Sequence, residues 1–164
     1  MPLATNAERP MSAKVGGFVN YETDILYVED NLDHAELVLR CLGRFGVRDR
    51  VNHVEDGEQA IAVLDGVKAK QVIRPRMILL DLRLPRVPGI EVLRHVKHTP
   101  ELRDIPVIVF TTSASDRDIS DAYGSYVNSY LVKPDDLAAI DELVSALSNY
   151  WLQCNRQLLT ERSA

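Results

Sequence analysis

Three carboxylates, a hydroxyl and an amine stand at the ends of apolar runs in this sequence. Glu29 and Asp30 close the run Ile25-Leu26-Tyr27-Val28, and Asp81 closes Met77-Ile78-Leu79-Leu80. Two further runs end in Thr111 and in Lys133. In an open parallel sheet the ligand crevice lies outside the carboxyl ends of the strands, so all five side chains would share one edge. Carboxylates crowded into one crevice raise each other's pKa unless a cation compensates. A hard divalent ion with oxygen ligands removes that repulsion, and magnesium commonly takes one or two protein carboxylates plus water and phosphate oxygens. Asp30 and Asp81 are therefore the expected direct ligands of Mg2+, with Glu29 acting through water. A carboxylate so placed can be a nucleophile toward phosphorus, which makes Asp81 the candidate acceptor. Lys133 would then approach the phosphoryl oxygens as a mobile point charge, and Thr111 would donate its hydroxyl to another. Lys133 precedes Pro134, where a cis bond costs little; a cis Lys133–Pro134 bond is expected to fix the amine's approach.

The elements that must position these groups follow from periodicity. Strands are expected over 25–29, 50–54, 77–81, 107–111 and 129–132, with amphipathic stretches between them. The first helix, over 34–44, carries Ala35, Val38 and Leu42 on one side and opens with Asp33 and Glu36 at capping-box spacing. Asp56 with Gln59 opens the second, residues 89–97 form the third, and Ser115 with Asp118 opens a short fourth ending near Gly124. The last, over 135–153, is the longest, and Leu137, Ile140, Val144 and Leu147 recur at the spacing of a sheet-facing stripe. Strands alternating with helices, several of them apolar on both faces, imply a doubly wound α/β fold: a five-stranded parallel sheet with helices on both faces.

Composition bounds the rest. A chain of 164 residues, 46% of them hydrophobic, can bury one sizeable core in one domain. A net charge of −5 with scattered Lys and Arg argues against nucleic acid, whose backbone needs a basic face. Cys41 and Cys154 lie far apart and read as reduced thiols. No apolar stretch approaches the roughly 18 residues of a membrane span, and residues 1–20 lack the apolar centre of a secretory signal, so a cytoplasmic protein is expected. Residues 1–22 read as a mobile tail and 154–164 as a short tail with no output domain. His34, His53, His95 and His98 have no Cys or acid at tetrahedral metal spacing and read as surface residues.

The strand ends carry a resemblance. Val28-Glu29-Asp30-Asn31, Leu79-Leu80-Asp81-Leu82-Arg83-Leu84-Pro85 with Pro88-Gly89, Pro106-Val107-Ile108-Val109-Phe110-Thr111 and Tyr130-Leu131-Val132-Lys133-Pro134 resemble, in order, the receiver domain of two-component response regulators. The likeness covers residues 24–153, about four fifths of the chain. It implies a flavodoxin-like strand order of 2-1-3-4-5 and phosphorylation of Asp81 by a partner histidine kinase. It also implies that the main-chain carbonyl of Arg83 completes the metal shell, and that Thr111 and Tyr130 form a switch in which the ring follows the hydroxyl inward. Only self-phosphorylation and self-dephosphorylation chemistry is implied, not enzymatic turnover. Thr111-Thr112-Ser113, the run from Tyr126 to Tyr130, the long link over 66–74 and the ending Tyr150-Trp151-Leu152 are similar to the single-domain regulators paired with phytochrome kinases, bacteriophytochromes among them. Two departures stand out: Thr112 is larger than the family's usual alanine or glycine, and Pro88 replaces a common acid.

Output is expected through the receiver's own surface. Tyr150 and Trp151 lie beyond the usual end of a receiver, and aromatic pairs at a helix end commonly form contacts. A symmetric homodimer through the last helix, the fifth strand and residues 116–123 is the expectation. Rival readings are a chemotaxis-type phosphate shuttle, a receiver-like scaffold that is never phosphorylated, a flavodoxin and an aspartyl phosphatase. A flavodoxin cradles phosphate with hydroxyls and amides, whereas this first loop is acidic. An aspartyl phosphatase wants an acid two residues after its nucleophile, where this chain has Arg83.

Overall fold

The computed structural model describes residues 24–157; the tail expected over 1–22 lies outside the described residues. Five short strands, β1 (Ile25–Val28), β2 (Val51–Val54), β3 (Met77–Leu80), β4 (Val107–Thr111) and β5 (Ser129–Val132), alternate with five helices. The helices are α1 (Leu32–Gly43), α2 (Gly57–Lys68), α3 (Gly89–His98), α4 (Asp116–Gly124) and α5 (Leu137–Ser148). All pairings are parallel, in the order β2-β1-β3-β4-β5. Every residue of β1, β3 and β4 is buried, because unbroken apolar runs suit strands covered on both faces. The edge strands β2 and β5 are only partly covered.

Alternation along each strand divides the core in two. Ile25, Tyr27, Met77, Leu79, Ile108 and Phe110 face α1 and α5. Leu26, Val28, Ile78, Leu80, Val107 and Val109 pack with Ala60 and Leu64 of α2, Val92, Leu93 and Val96 of α3, and Ala122 of α4.

Helix starts differ at α1 and, by two residues, at α5, which Asp136 caps by accepting from the Ala139 amide at 3.0 Å. Asp56 caps α2 by accepting from the Gln59 amide at 2.8 Å, and Ser115 caps α4 by accepting from the Asp118 amide at 3.1 Å. For α1, Asn31 takes the place expected of Asp33: its side-chain oxygen accepts from the Asp33 and His34 amides, both at 3.0 Å. The helix therefore begins at Leu32.

The last helix departs further. The α-helix ends at Ser148 and passes into a π-helical turn over Asn149–Cys154. The wider turn sends Leu152 into the core and lays Trp151, half-buried, against the α1/α5 side, leaving Tyr150 53% exposed. Of the aromatic pair expected to form contacts, only Tyr150 thus stands clear of the core. Ile140, Val144 and Leu147 are buried as the stripe requires, but Leu137 is 65% exposed; it opens the helix directly after its cap, Asp136, a turn before Ile140 meets the core. Gln157 still docks, donating to the Arg76 carbonyl at 2.9 Å, so the chain remains attached beyond the boundary expected at 153.

One glycine governs how close α3 comes to the site. A Cβ at Gly89 would sit 2.1 Å from the Asp81 carbonyl oxygen and 2.7 Å from the Leu82 Cα, contacts that backbone cannot relieve cheaply. Gly89→Ala is expected to destabilise by about 3 kcal/mol through overpacking, read as a lowered urea midpoint at unchanged slope.

Candidate functional site

The site begins where three ladders run one residue past their strands. The Glu29 amide donates to the Val54 carbonyl and the Asp81 amide to the Val28 carbonyl, each at 3.0 Å, and the Lys133 amide donates to the Thr111 carbonyl at 2.7 Å. Glu29, Asp81 and Lys133 are thereby held in register with the sheet, not loose on loops. Glu29, Asp30 and Asp81 each bring a carboxylate oxygen to within 4.8 Å of the others. The Lys133 ammonium, on a residue only 5% exposed, donates to Asp81 Oδ2 at 2.9 Å and to Glu29 Oε2. Thr111 is buried beside them at the end of β4.

The Lys133–Pro134 bond is trans, since the described residues contain no cis peptide, and the cis bond expected there is corrected. The ladder bond to Thr111 already aims the side chain past the Phe110 ring, 5.5 Å from its centroid, onto the acids. No sharper turn is needed.

Electrostatically the trio fits a divalent cation. Lys133 offsets one of three neighbouring negative charges, and the remaining excess matches one such ion with oxygen donors. Asp30 is exposed and Asp81 offers its second oxygen, Oδ1, toward the loop, where the Arg83 amide donates to it at 3.0 Å. Glu29 is fully buried. Burial pushes its carboxyl up, and the Lys133 ammonium pulls against that shift.

Sequence reasoning missed several partners. Tyr27, buried in β1, donates its hydroxyl to Glu29 Oε2 at 3.3 Å, and burial holds that phenol far above its ordinary pKa. His53 reaches the Glu29 carbonyl oxygen with Nε2 at 2.9 Å, and its ring lies 5.4 Å from that of Tyr27. His34 Nδ1 stands 3.5 Å from the Lys133 ammonium. His34 and His53, both partly exposed as expected, are thus also site neighbours. No local spacing announces them, because each contact crosses from another element. His95 pairs with Asp65 at 3.1 Å, and His98 is exposed, as read from the sequence.

Beyond the acids, the switch candidates meet at one residue. The Ser113 amide donates to Thr111 Oγ1 at 3.4 Å, and the Tyr130 hydroxyl donates to the Ser113 carbonyl at 2.9 Å.

Comparison with known proteins finds likenesses over most of the chain. A family model for the response regulator receiver domain matches residues 25–146. A probable methanogenesis regulatory protein of Methanothrix harundinacea, FilR2, is 46% identical over 132 residues, 80% of this chain and 85% of that protein. Response regulator Rcp1 of Synechocystis is 36% identical over 130 residues, covering 79% of this chain and 88% of Rcp1. The Mn(2+)-bound structure of Rcp1 superposes with a TM-score of 0.77 at 34% identity, over 82% of this chain and 98% of that one. The phosphorylated cyanobacterial phytochrome response regulator RcpA gives 0.76 at 34% identity, over 82% and 97%.

Tyr27 yields a measurable consequence. Tyr27→Phe removes one donor to a buried carboxylate that keeps Lys133 and the Asn31 amide as partners. The cost is expected to be roughly 1–2 kcal/mol, read by thermal unfolding, with the helical spectrum unchanged.

Proposed function

The chain belongs to the response regulator receiver domain family, and on that premise we propose that it takes a phosphoryl group onto Asp81 from a partner histidine kinase. The observation that carries this reading is the Lys133 ammonium seated between Glu29 and Asp81, inside a trio of converging acids. In the transfer, Asp81 supplies an oxygen lone pair to phosphorus as the phosphorus–nitrogen bond of the donor phosphohistidine breaks; the imidazole nitrogen keeps that bonding pair. Such a transfer rests mostly on positioning and charge stabilisation. Lys133 stands ready on one side of the acceptor, and Thr111 offers a hydroxyl from the next strand.

Asp30 and Asp81 would hold Mg2+ directly, Glu29 through water, and the Arg83 carbonyl would complete the shell. The bound ion supplies charge neutralisation at the incoming phosphoryl oxygens. Glu29's burial and its bond to Lys133 suit the water-mediated role, since the Lys133-bound oxygen is already committed. Thr111 and Tyr130 would form the switch, and their shared contact with Ser113 supports this. No helix among the described residues is long and apolar enough to cross a membrane.

The likeness to Rcp1 and RcpA supports a phytochrome-type kinase, a bacteriophytochrome included, as the partner. A second reading, a kinase serving another signal, is favoured by the 46% identity to FilR2. Output would run through α4, β5 and α5 as a symmetric homodimer, with Tyr123, Val132 and Leu137 exposed on those elements and Tyr150 exposed on the turn that follows. The wider face includes half-buried Trp151.

Incubation with phosphorylated histidine kinases of both kinds is expected to add one phosphoryl mass to the wild type and none to Asp81→Asn. Labelling of the Asn variant would move the acceptor elsewhere. Lys133→Ala is expected to keep metal binding while losing the phosphate-dependent change in partner binding. For the dimer, Tyr150→Ala is the cleaner probe, because Trp151 also covers core; sedimentation should show the variant monomeric at micromolar concentration where the wild type dimerises.

A further inference from the structure

Helix α4 is lightly anchored. Ala122 is its one fully buried residue, so little apolar area holds it to the sheet. Its N-terminus is held instead by polar ties that lead back to Asp81. The Arg83 amide donates to Asp81 Oδ1, while its guanidinium crosses to α4, donating from Nη2 to Asp118 Oδ2 at 2.8 Å and to Ser113 Oγ at 3.4 Å. Ser113 Oγ also donates to Asp118 Oδ2. The Ser113 bond and the Arg83 charge hold the Asp118 carboxyl below the usual carboxylate range, so it stays an anion fit to grip a cation. Ser113 further touches both Thr111 and Tyr130. Arg83 and Asp118 line a cleft of about 130 Å³ between the loop after β3 and α4, together with Leu82, Pro88, Ile90 and Asp121.

We propose that Arg83 is a displaceable tie: unphosphorylated, it fastens the start of α4 to the loop carrying Asp81, and a phosphoryl group on Asp81 draws the guanidinium off Asp118. Two physical facts favour the exchange. An exposed ion pair is weak, and the Arg83 side chain is 66% exposed. A phosphoryl group, in contrast, carries up to about two charges and accepts the guanidinium fork through two oxygens at once. Once Arg83 leaves, Asp118 and Ser113 lose their common cation, and the Ser113 carbonyl that accepts from Tyr130 is no longer fixed. Arg83 thereby acts as a positioning residue, coupling Asp81 to α4 by a path separate from any movement of Thr111. The inference rests on Asp81 being the acceptor.

Hydrogen–deuterium exchange over residues 113–124 tests it in wild type, Arg83→Ala, Asp118→Asn and the double variant. Without phosphate, each single variant is expected to exchange about threefold to fivefold faster, the loss of one weak ion pair, and the double variant no faster than either. Arg83→Lys, which keeps the charge and loses the fork, should fall between. Multiplying effects in the double variant would mean that Asp118 merely stabilises its own helix terminus, and would overturn the tie; so would unchanged exchange in Arg83→Ala. With acetyl phosphate and Mg2+, and occupancy read by intact mass on the same samples, phosphorylated wild type is expected to reach the Arg83→Ala level. Retained α4 protection at full occupancy refutes the displacement. Absence of phosphate from the wild type refutes Asp81 as acceptor and with it the displacement, while the unphosphorylated samples still decide whether the tie exists.

Discussion

A buried ammonium between two carboxylates organises this protein. Lys133 arrives from the edge strand β5, Glu29 from β1 and Asp81 from β3, so one cation joins the carboxyl ends of three strands. Desolvating a charge is costly unless it is paired and hydrogen-bonded. The sheet must therefore bring the three strands into register before the amine can be buried at all. Without its acids, Lys133 would be an unpaired buried charge; without Lys133, the acids would repel one another unrelieved. Each strand's length and ending is tied to that meeting point.

The surrounding packing serves the same end. The central strands are saturated with apolar contacts on both faces and cannot slide. Glycine at position 89 lets α3 start against the Asp81 backbone. Around Glu29 a second layer has formed, with a phenol on its carboxylate, an imidazole on its carbonyl and the Asn31 amide on its other oxygen. These contacts leave Glu29 little freedom, whereas Asp30 and the outer oxygen of Asp81 face the crevice. The rigid half of the site is thus the part that holds the amine, and the open half is the part suited to a cation and a phosphoryl group.

Much of this was legible in the order of residues because strand ends place side chains predictably. An apolar run marks a buried strand, and the polar residue after it must emerge at the edge; that logic located Glu29, Asp30, Asp81, Thr111 and Lys133. The sheet order came from the family resemblance, not from periodicity. What stayed hidden depended on reach across space. Asn31 outcompeted Asp33 as a cap by geometry of the turn, and the π-helical turn that half-buries Trp151 while leaving Tyr150 exposed is a packing outcome that helical spacing does not encode. Tyr27 looked like one more apolar strand residue, and only its neighbour in space gives the hydroxyl a purpose. Arg83 was read for its main chain, while its side chain spans to a helix thirty-five positions away.

The docking of the last described residues carries a topographic consequence. Arg76 precedes β3; its amide bonds the Asp24 carbonyl, where β1 begins, and its own carbonyl holds Gln157. Both ends of the described chain therefore gather at the amino pole of the sheet. Asp81 lies five residues along from Arg76, roughly 16 Å away at the rise of an extended strand. A dye attached at Gln157 would sit at the back of the molecule and leave the mouth of the crevice clear.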